Sequence, residues 1–365
     1  MNKLIAISIF FIILTAACSP TAHVTTEPPA TLVSPDISPT SGPAITPTPA
    51  QPASTATSIT HQLPGSLAVI TTSNAQDLKK IAVLTGSTGK VTDLAFSGDG
   101  AYLASTGYEE KIRLWDINTW QEVYSFPLRG ADLNAIAFSP DGSLLASAYV
   151  IWNVKTQEIV RTLEKGQVSA AHVAFSPDGS QLAVIASRTI KVWDVASWNE
   201  LLAFDMPSDC RWLFGITFSP DGQWLAAPSG NGRVYFWSAD TGQLAFTLEQ
   251  DNERDVHDIA FTPDGTWLAT GGTDYYARIW NVTNGEQLQK MSIIGMYSLA
   301  LSPDGTLLAT AGPSRRVELW DVQTGRMLHS LPHADELMAV AFSADGRLIA
   351  AGGYDNKIIV WGISP

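Results

Sequence analysis

Ser139-Pro140-Asp141-Gly142, Ser176-Pro177-Asp178-Gly179, Ser219-Pro220-Asp221-Gly222 and Ser302-Pro303-Asp304-Gly305 are four copies of one phrase. Ser97-Gly98-Asp99-Gly100, Thr262-Pro263-Asp264-Gly265 and Ser343-Ala344-Asp345-Gly346 are variants that bring the number to seven. Each suits a type I turn in which Pro presets φ, Asp caps locally and Gly accepts the positive φ that follows. Apolar and polar residues alternate ahead of the turn, as at Val91, Leu94 and Phe96, and a short apolar run such as Leu144-Leu145-Ala146 follows it. That is the pattern of two half-buried strands joined as a hairpin.

A tryptophan closes every unit. Trp115, Trp152, Trp193, Trp237, Trp280, Trp320 and Trp361 are spaced 37, 41, 44, 43, 40 and 41 residues apart. A period near 40 residues is that of propeller blades. With Asp or Asn after five of these tryptophans, residues 63–365 resemble the WD-repeat β-propellers. The resemblance implies an all-β fold, a seven-bladed β-propeller of four-stranded antiparallel blades, in which the Trp-Asp pair ends the third strand. Because the chain stops four residues after Trp361, the seventh blade is one strand short. A strand over residues 78–84 is expected to complete it, closing an otherwise unpaired edge.

The family often carries a Gly-His pair whose His bonds an Asp in a later turn, and no Gly-His occurs here. Only blade seven has both members, His333 and Asp355, which are expected to be structural. Asp274 and Glu109 hold the turn position without a histidine, so the ring is expected to rely on packing of its Trp, Phe and Leu side chains. Blade two is short between Phe138 and Trp152, which leaves only a tight turn at Ala148 and Tyr149 and a notch on that face. The long loop Asp205 to Trp212 leads into blade four and holds Cys210, expected to be a buried free thiol.

Residues 1–17 read as an export signal: Lys3, an apolar run from Leu4 to Leu14, then small residues before Cys18. The run is short of the ~20 residues that span a bilayer. The small residues before Cys18 resemble the lipobox of bacterial lipoproteins, which implies acyl chains on Cys18 and a place in the bacterial cell envelope on the extracytoplasmic side of a membrane; plain secretion is the alternative. Residues 19–62 hold 9 Pro, 10 Thr and 6 Ser with two charges, Glu27 and Asp36. Such a stretch cannot bury enough surface to order itself. Residues 18–62 are therefore expected to be disordered, either a tether reaching up to ~130 Å at about 3 Å per residue or simply a leader.

The chain carries a net charge of −13, of which −12 falls on residues 63–365. This balance argues against nucleic acid, whose binding depends on Lys and Arg displacing counterions. Six histidines lie scattered without zinc-site spacing, and neither a Gly-x-Ser-x-Gly elbow nor a phosphate-cradling glycine motif occurs. No catalytic residue, metal or cofactor is expected. In WD-repeat proteins, partners usually bind the face formed by the loops leading into the first strands and the turns before the third. Here the resemblance maps that face to Lys90, Asp132, Trp212, Asp255 and Glu336 in the incoming loops, and to Tyr108 and Tyr354 in the turns. Exposed Trp and Tyr concentrate binding energy at interfaces, and acidic neighbours favour a basic protein partner. The expectation is a monomeric, non-enzymatic interaction scaffold. A small-ligand or enzymatic propeller using the axial channel is one rival, an envelope-assembly component the other.

Overall fold

The computed structural model describes residues 57–58, 66–109, 111–128, 135–147, 149–163 and 172–364. The export signal, Cys18, Asp132, Ala148 and all of the 18–62 segment except Thr57–Ser58 lie outside them. The strands form seven antiparallel sheets, six of four strands and one of five. In blade one the strands are Val91–Phe96, Tyr102–Gly107, Lys111–Asp116 and Glu122–Pro127, in that spatial order. The first strands of neighbouring blades face one another around the ring, and that of blade seven, Leu337–Phe342, meets that of blade one.

The turn phrase repeats as one hydrogen-bonded device. In all seven copies the Ser or Thr hydroxyl donates to the Asp carboxylate two residues on, at 2.5–2.6 Å. The same oxygen accepts the N–H that opens the second strand, as from Leu307 to Ser302 at 2.9 Å. Buried hydroxyls need such partners, which is why Ser or Thr recurs where apolar residues would otherwise fill the position. The glycine of each phrase takes φ near +70°, and from blade three onward it lies beside the residue at the Pro position of the preceding blade's turn; a Cβ on Gly305 would come 3.0 Å from Pro263 Cδ. From blade one to blade seven the turns therefore pack in succession on one face.

The core is not inside the blades but between them. Seven apolar clusters each draw on two adjacent blades. Every framework tryptophan packs against the preceding blade: Trp237 meets blade three's Ile190 and Val192, and Trp361 meets blade six's Val317 and Leu319. Alanines such as Ala104, Ala146 and Ala269 sit in the second strands, where sheets press closest.

Blade seven is closed as the strand count requires. Lys79–Leu84 pairs antiparallel with the last strand, Ile358–Gly362. One feature differs from expectation: Thr57 and Ser58, within the segment read as a tether, pair with Val83 and Ala82 as a fifth strand. The open backbone edge of a blade's outer strand accepts any extended segment that reaches it, whatever its composition. The short blade two is built from Ile136–Phe138, Leu144–Ser147, Val150–Asn153 and Ile159–Thr162, with the second and third strands joined at residues 148–149.

The carboxylates without histidine are not left to packing alone, which corrects the expectation for blades one and five. Glu109 pairs with Arg113 at 2.8 Å, and Asp274 pairs with Arg278 at 2.6 Å. Arg113 also reaches Glu122 and the Gly86 carbonyl. Asn252, at the place a histidine holds in blade seven, donates to Asp274 at 3.2 Å. The His–Asp tie is thus replaced by an Arg–carboxylate tie between the turn and the third strand. His333 and Asp355 do come together, with Nδ1 and Oδ2 3.8 Å apart, but neither nitrogen of His333 is hydrogen-bonded. Burial holds His333 below the usual histidine range, opposed by the Asp355 charge.

Candidate functional site

In an antiparallel blade the loop before the first strand and the turn before the third lie at one end, opposite the Ser-x-Asp-Gly turns. Backbone bonds tie these two segments together. Tyr108 N–H donates to the Lys90 carbonyl (3.1 Å), Gly230 to Trp212 (3.1 Å), Thr273 to Asp255 (3.1 Å) and Tyr354 to Glu336 (2.9 Å). The approach is so close that a Cβ on Gly107, Gly272 or Gly353 would come within 1.9 Å of the carbonyl beside it. The sequence-assigned residues Lys90, Trp212, Asp255 and Glu336 hold equivalent places in four blades.

Around this face the side chains run as a chain of contacts. Trp212 stands edge-on to Phe214 at 6.2 Å, Phe214 stacks on His257 at 4.4 Å, and His257 meets Tyr297 at 5.9 Å. Burial pushes the Tyr297 phenol up, with Glu336 and then Tyr354 adding to it. The Lys90 ammonium lies 3.6 Å from the Tyr354 ring centroid and 5.7 Å from that of Tyr108. Lys90, Tyr108 and Tyr354 therefore meet, whereas Trp212 and Asp255 lie elsewhere on the ring. Arg188 holds the Trp212 loop by donating to the Cys210 and Pro207 carbonyls. Cys210 is a buried free thiol, and burial pushes its pKa up to about 11, which keeps it an inert thiol.

Tyr108, Trp212 and Tyr275, at 71%, 48% and 58% exposure, are the strongly exposed aromatic residues among those described, and all three belong to this face. Ile294, 61% exposed, joins them from the loop leading into blade six. Tyr275 and Ile294 escape a reading by motif, though the signal was present. Blade four has Gly232 at the turn position where blade five has Tyr275, and a tyrosine there has no packing duty.

The inner strands hold titratable groups that the alternation pattern concealed. Asp93 Oδ2 accepts the Ile136 N–H of blade two and Asp258 Oδ2 accepts the Leu299 N–H of blade six, both at 2.8 Å. Each carboxylate thus clips two blades together, and Ser298 does the same more weakly to Val340. Burial raises Asp93 to about 7 and Asp258 to about 6, against the lowering effect of those N–H groups. His172, on the first-strand side of blade three, is depressed to about 4 by burial and is neutral at pH 7. Among the described residues no three His, Cys, Asp or Glu side chains converge as a metal-holding group, and no helix is long and apolar enough to cross a membrane.

The family model described as "WD domain, G-beta repeat" matches seven segments: 78–116, 120–150, 157–194, 205–238, 242–281, 291–321 and 325–362. The chain belongs to the WD-repeat family. Four of the segments, 78–116, 157–194, 242–281 and 325–362, run from one blade's outer strand to the Trp of the next, so the match follows the blades found in space. Among curated proteins, the Arabidopsis thaliana "Pre-mRNA-processing factor 19 homolog 2" is 41% identical over 68 residues, 19% of this chain and 12% of that protein. The Schizosaccharomyces pombe "Small ribosomal subunit protein RACK1" is 37% identical over 82 residues, 21% of this chain and 26% of that one. "Protein HIR1" of Cryptococcus neoformans is 28% identical over 97 residues, 25% of this chain and 11% of that one. The chain thus spans only 11–26% of the length of these WD-repeat relatives.

Proposed function

We propose that this chain is a non-enzymatic scaffold that binds another protein through its incoming-loop face. The exposure of Tyr108, Trp212 and Tyr275 on that face, with no aromatic side chain comparably exposed on the opposite side among the described residues, carries the reading. Exposed Trp and Tyr lose little conformational entropy on contact and bury large areas, so they anchor interfaces. Partial similarity to RACK1, HIR1 and the factor 19 homologue is consistent with an interaction role, and fold alone does not give function. The partner is expected to be a basic protein and this chain a monomer. Lipid on Cys18 and the segment that follows it would hold the domain on the extracytoplasmic side of a bacterial membrane, within reach of a second protein.

The test is photocrosslinking in native membranes, with p-benzoylphenylalanine replacing Tyr108, Trp212 or, as a control on an outer strand, Val123. One protein crosslinked from Tyr108 or Trp212 and not from Val123 is the expected result. The same adducts from all three sites, or none, would overturn the scaffold reading. For the anchor, Cys18→Ser should release the protein from the membrane fraction; retention after a carbonate wash would refute lipidation there.

A second reading rests on the titratable groups of the inner strands, Asp93, His172 and Asp258. They give a small cationic ligand of the axial channel more to bind than the sequence pattern promised. The two carboxylates are already engaged by backbone N–H groups, which favours a structural task for them.

A further inference from the structure

Resting on the reading of the incoming-loop face as a binding surface, we propose that its anchor is the pair Tyr275 and Ile294 on blades five and six. We further propose that this pair takes a protein segment presenting an apolar side chain flanked by lysine or arginine.

Tyr275 occupies the left-handed region at φ +67°. At the corresponding turn position blade four has Gly232 (φ +79°) and blade seven Asn356 (φ +61°), the residue types that adopt this conformation at least cost, while blade six has Arg315 (φ +57°), whose side chain reaches Asp335. A tyrosine there is strained, and with 58% of it exposed the ring receives little packing in return. Strain kept at an exposed loop tip is a mark of a residue retained for contact.

The adjoining loop is apolar in the same unexplained way. Ser292 to Tyr297 carries no charge. Ile293 and Met296 are buried in the cluster between blades five and six, while Ile294 is left out at 61% exposure. Ile293 N–H donates to the Tyr275 carbonyl at 2.9 Å, so Ile294 directly follows the residue bonded to the strained tyrosine.

Charge selects the occupant. Asp251 is paired with Lys290 and Asp335 with Arg315, which leaves Glu253, Asp255 and Glu336 against Arg254, so the loops on either side remain net acidic. An apolar anchor between acidic loops is complementary to an apolar side chain between basic ones, and the Tyr275 ring offers its face to a cation as well. The tyrosines assigned from sequence differ here, since Tyr354 and Tyr108 already hold the Lys90 ammonium.

The experiment pans a phage library of short random peptides on the full chain. Enriched peptides are then measured by fluorescence polarisation against wild type, Tyr275→Asn/Ile294→Ser and the outer-strand control Val123→Ala. Enrichment of sequences with a central Leu, Phe or Trp beside Lys or Arg is expected. The double variant should bind them about tenfold or more weakly, and Val123→Ala should bind them as wild type does. Tyr275→Asn should melt no lower than wild type, because asparagine suits the left-handed turn. No enrichment, an acidic or neutral bias, or wild-type affinity in the double variant would overturn the proposal. Membrane adducts from Tyr108 or Trp212 alongside any of those results would leave the scaffold standing and reject only this placement.

Discussion

Replacing Arg278 with methionine should be among the most damaging single changes in the ring. The Arg278 and Asp274 side chains are 0% and 1% exposed and 2.6 Å apart. Gln250 accepts from Arg278 at 3.2 Å, and the guanidinium lies over the Tyr276 ring at 5.4 Å. Methionine keeps the length and apolar stem but strands the Asp274 carboxylate with Asn252 and the Tyr276 N–H as its only donors. Removing one member of a buried pair costs about 3–5 kcal/mol, mostly through the uncompensated charge. At roughly 2 °C per kcal/mol for a domain of this size, the melting temperature should fall by about 6–10 °C. Arg278→Met/Asp274→Ala removes both charges and should recover much of that loss. As a control, Lys191→Met breaks a pair whose members are 33% and 37% exposed and should cost below about 1 kcal/mol. Urea titration of wild type, the two singles and the double gives the coupling energy. A single-variant loss below about 1 kcal/mol, or a double that is additive within about 0.5 kcal/mol, would refute the replacement of the His–Asp tie by this pair.

The Asp93 and Asp258 clips make stability depend on pH. Burial holds their folded pKa values above the ordinary aspartate value of 3.8, so their contribution is full below about pH 4 and is lost as pH rises through about 6 and then 7. The melting-temperature gap between wild type and Asp93→Ala/Asp258→Ala should therefore be wider at pH 5 than at pH 8; a gap that widens upward would contradict the burial argument. Ser302→Ala removes the acceptor of the buried Leu307 N–H and the donor to Asp304. It should cost about 1–3 kcal/mol, read by denaturant midpoint, and a neutral result would show the turn closes without its hydroxyl. Starting the chain at Thr85 deletes Lys79–Leu84 and bares the last strand, so light scattering should detect aggregation; a monomer of unchanged melting temperature would refute closure by that strand.

The blades were legible because their signals are local and repeated: a Ser-x-Asp-Gly turn needs its own four residues, and the tryptophan recurs at a fixed distance. The closing strand was legible by counting, since a blade with three strands has an open edge. What the pattern hid were pairings that replace a family feature instead of omitting it. Glu109 is followed four residues on by Arg113 and Asp274 by Arg278, whereas Asp355, which has His333, is followed by Ile359. The rule lies in the sequence, but only the folded hairpin shows that a turn residue and the middle of the third strand can meet. Asp93, His172 and Asp258 were hidden for a different reason. Each stands where other blades have Ala135, Gly215 or Ala339, and one charge within an apolar strand reads as noise until the next blade's N–H is placed beside it.

The two ends of the blades answer to different constraints, and that difference bears on where recognition can evolve. At the Ser-x-Asp-Gly end, each turn is held by its own hydroxyl and carboxylate and most touch a neighbour's turn, so a change in one disturbs the next. At the other end, backbone ties such as those from Tyr354 to Glu336, from Thr273 to Asp255 and from Ile293 to Tyr275 position residues without using their side chains. A residue such as Tyr108 is placed by the bond from its N–H to the Lys90 carbonyl while its ring stays largely exposed. Positions fixed by backbone but unconstrained in side chain can carry rigid, variable contacts, which is what a partner-specific surface requires. The proposed interaction face is therefore the end at which this fold can change its chemistry without altering its ring.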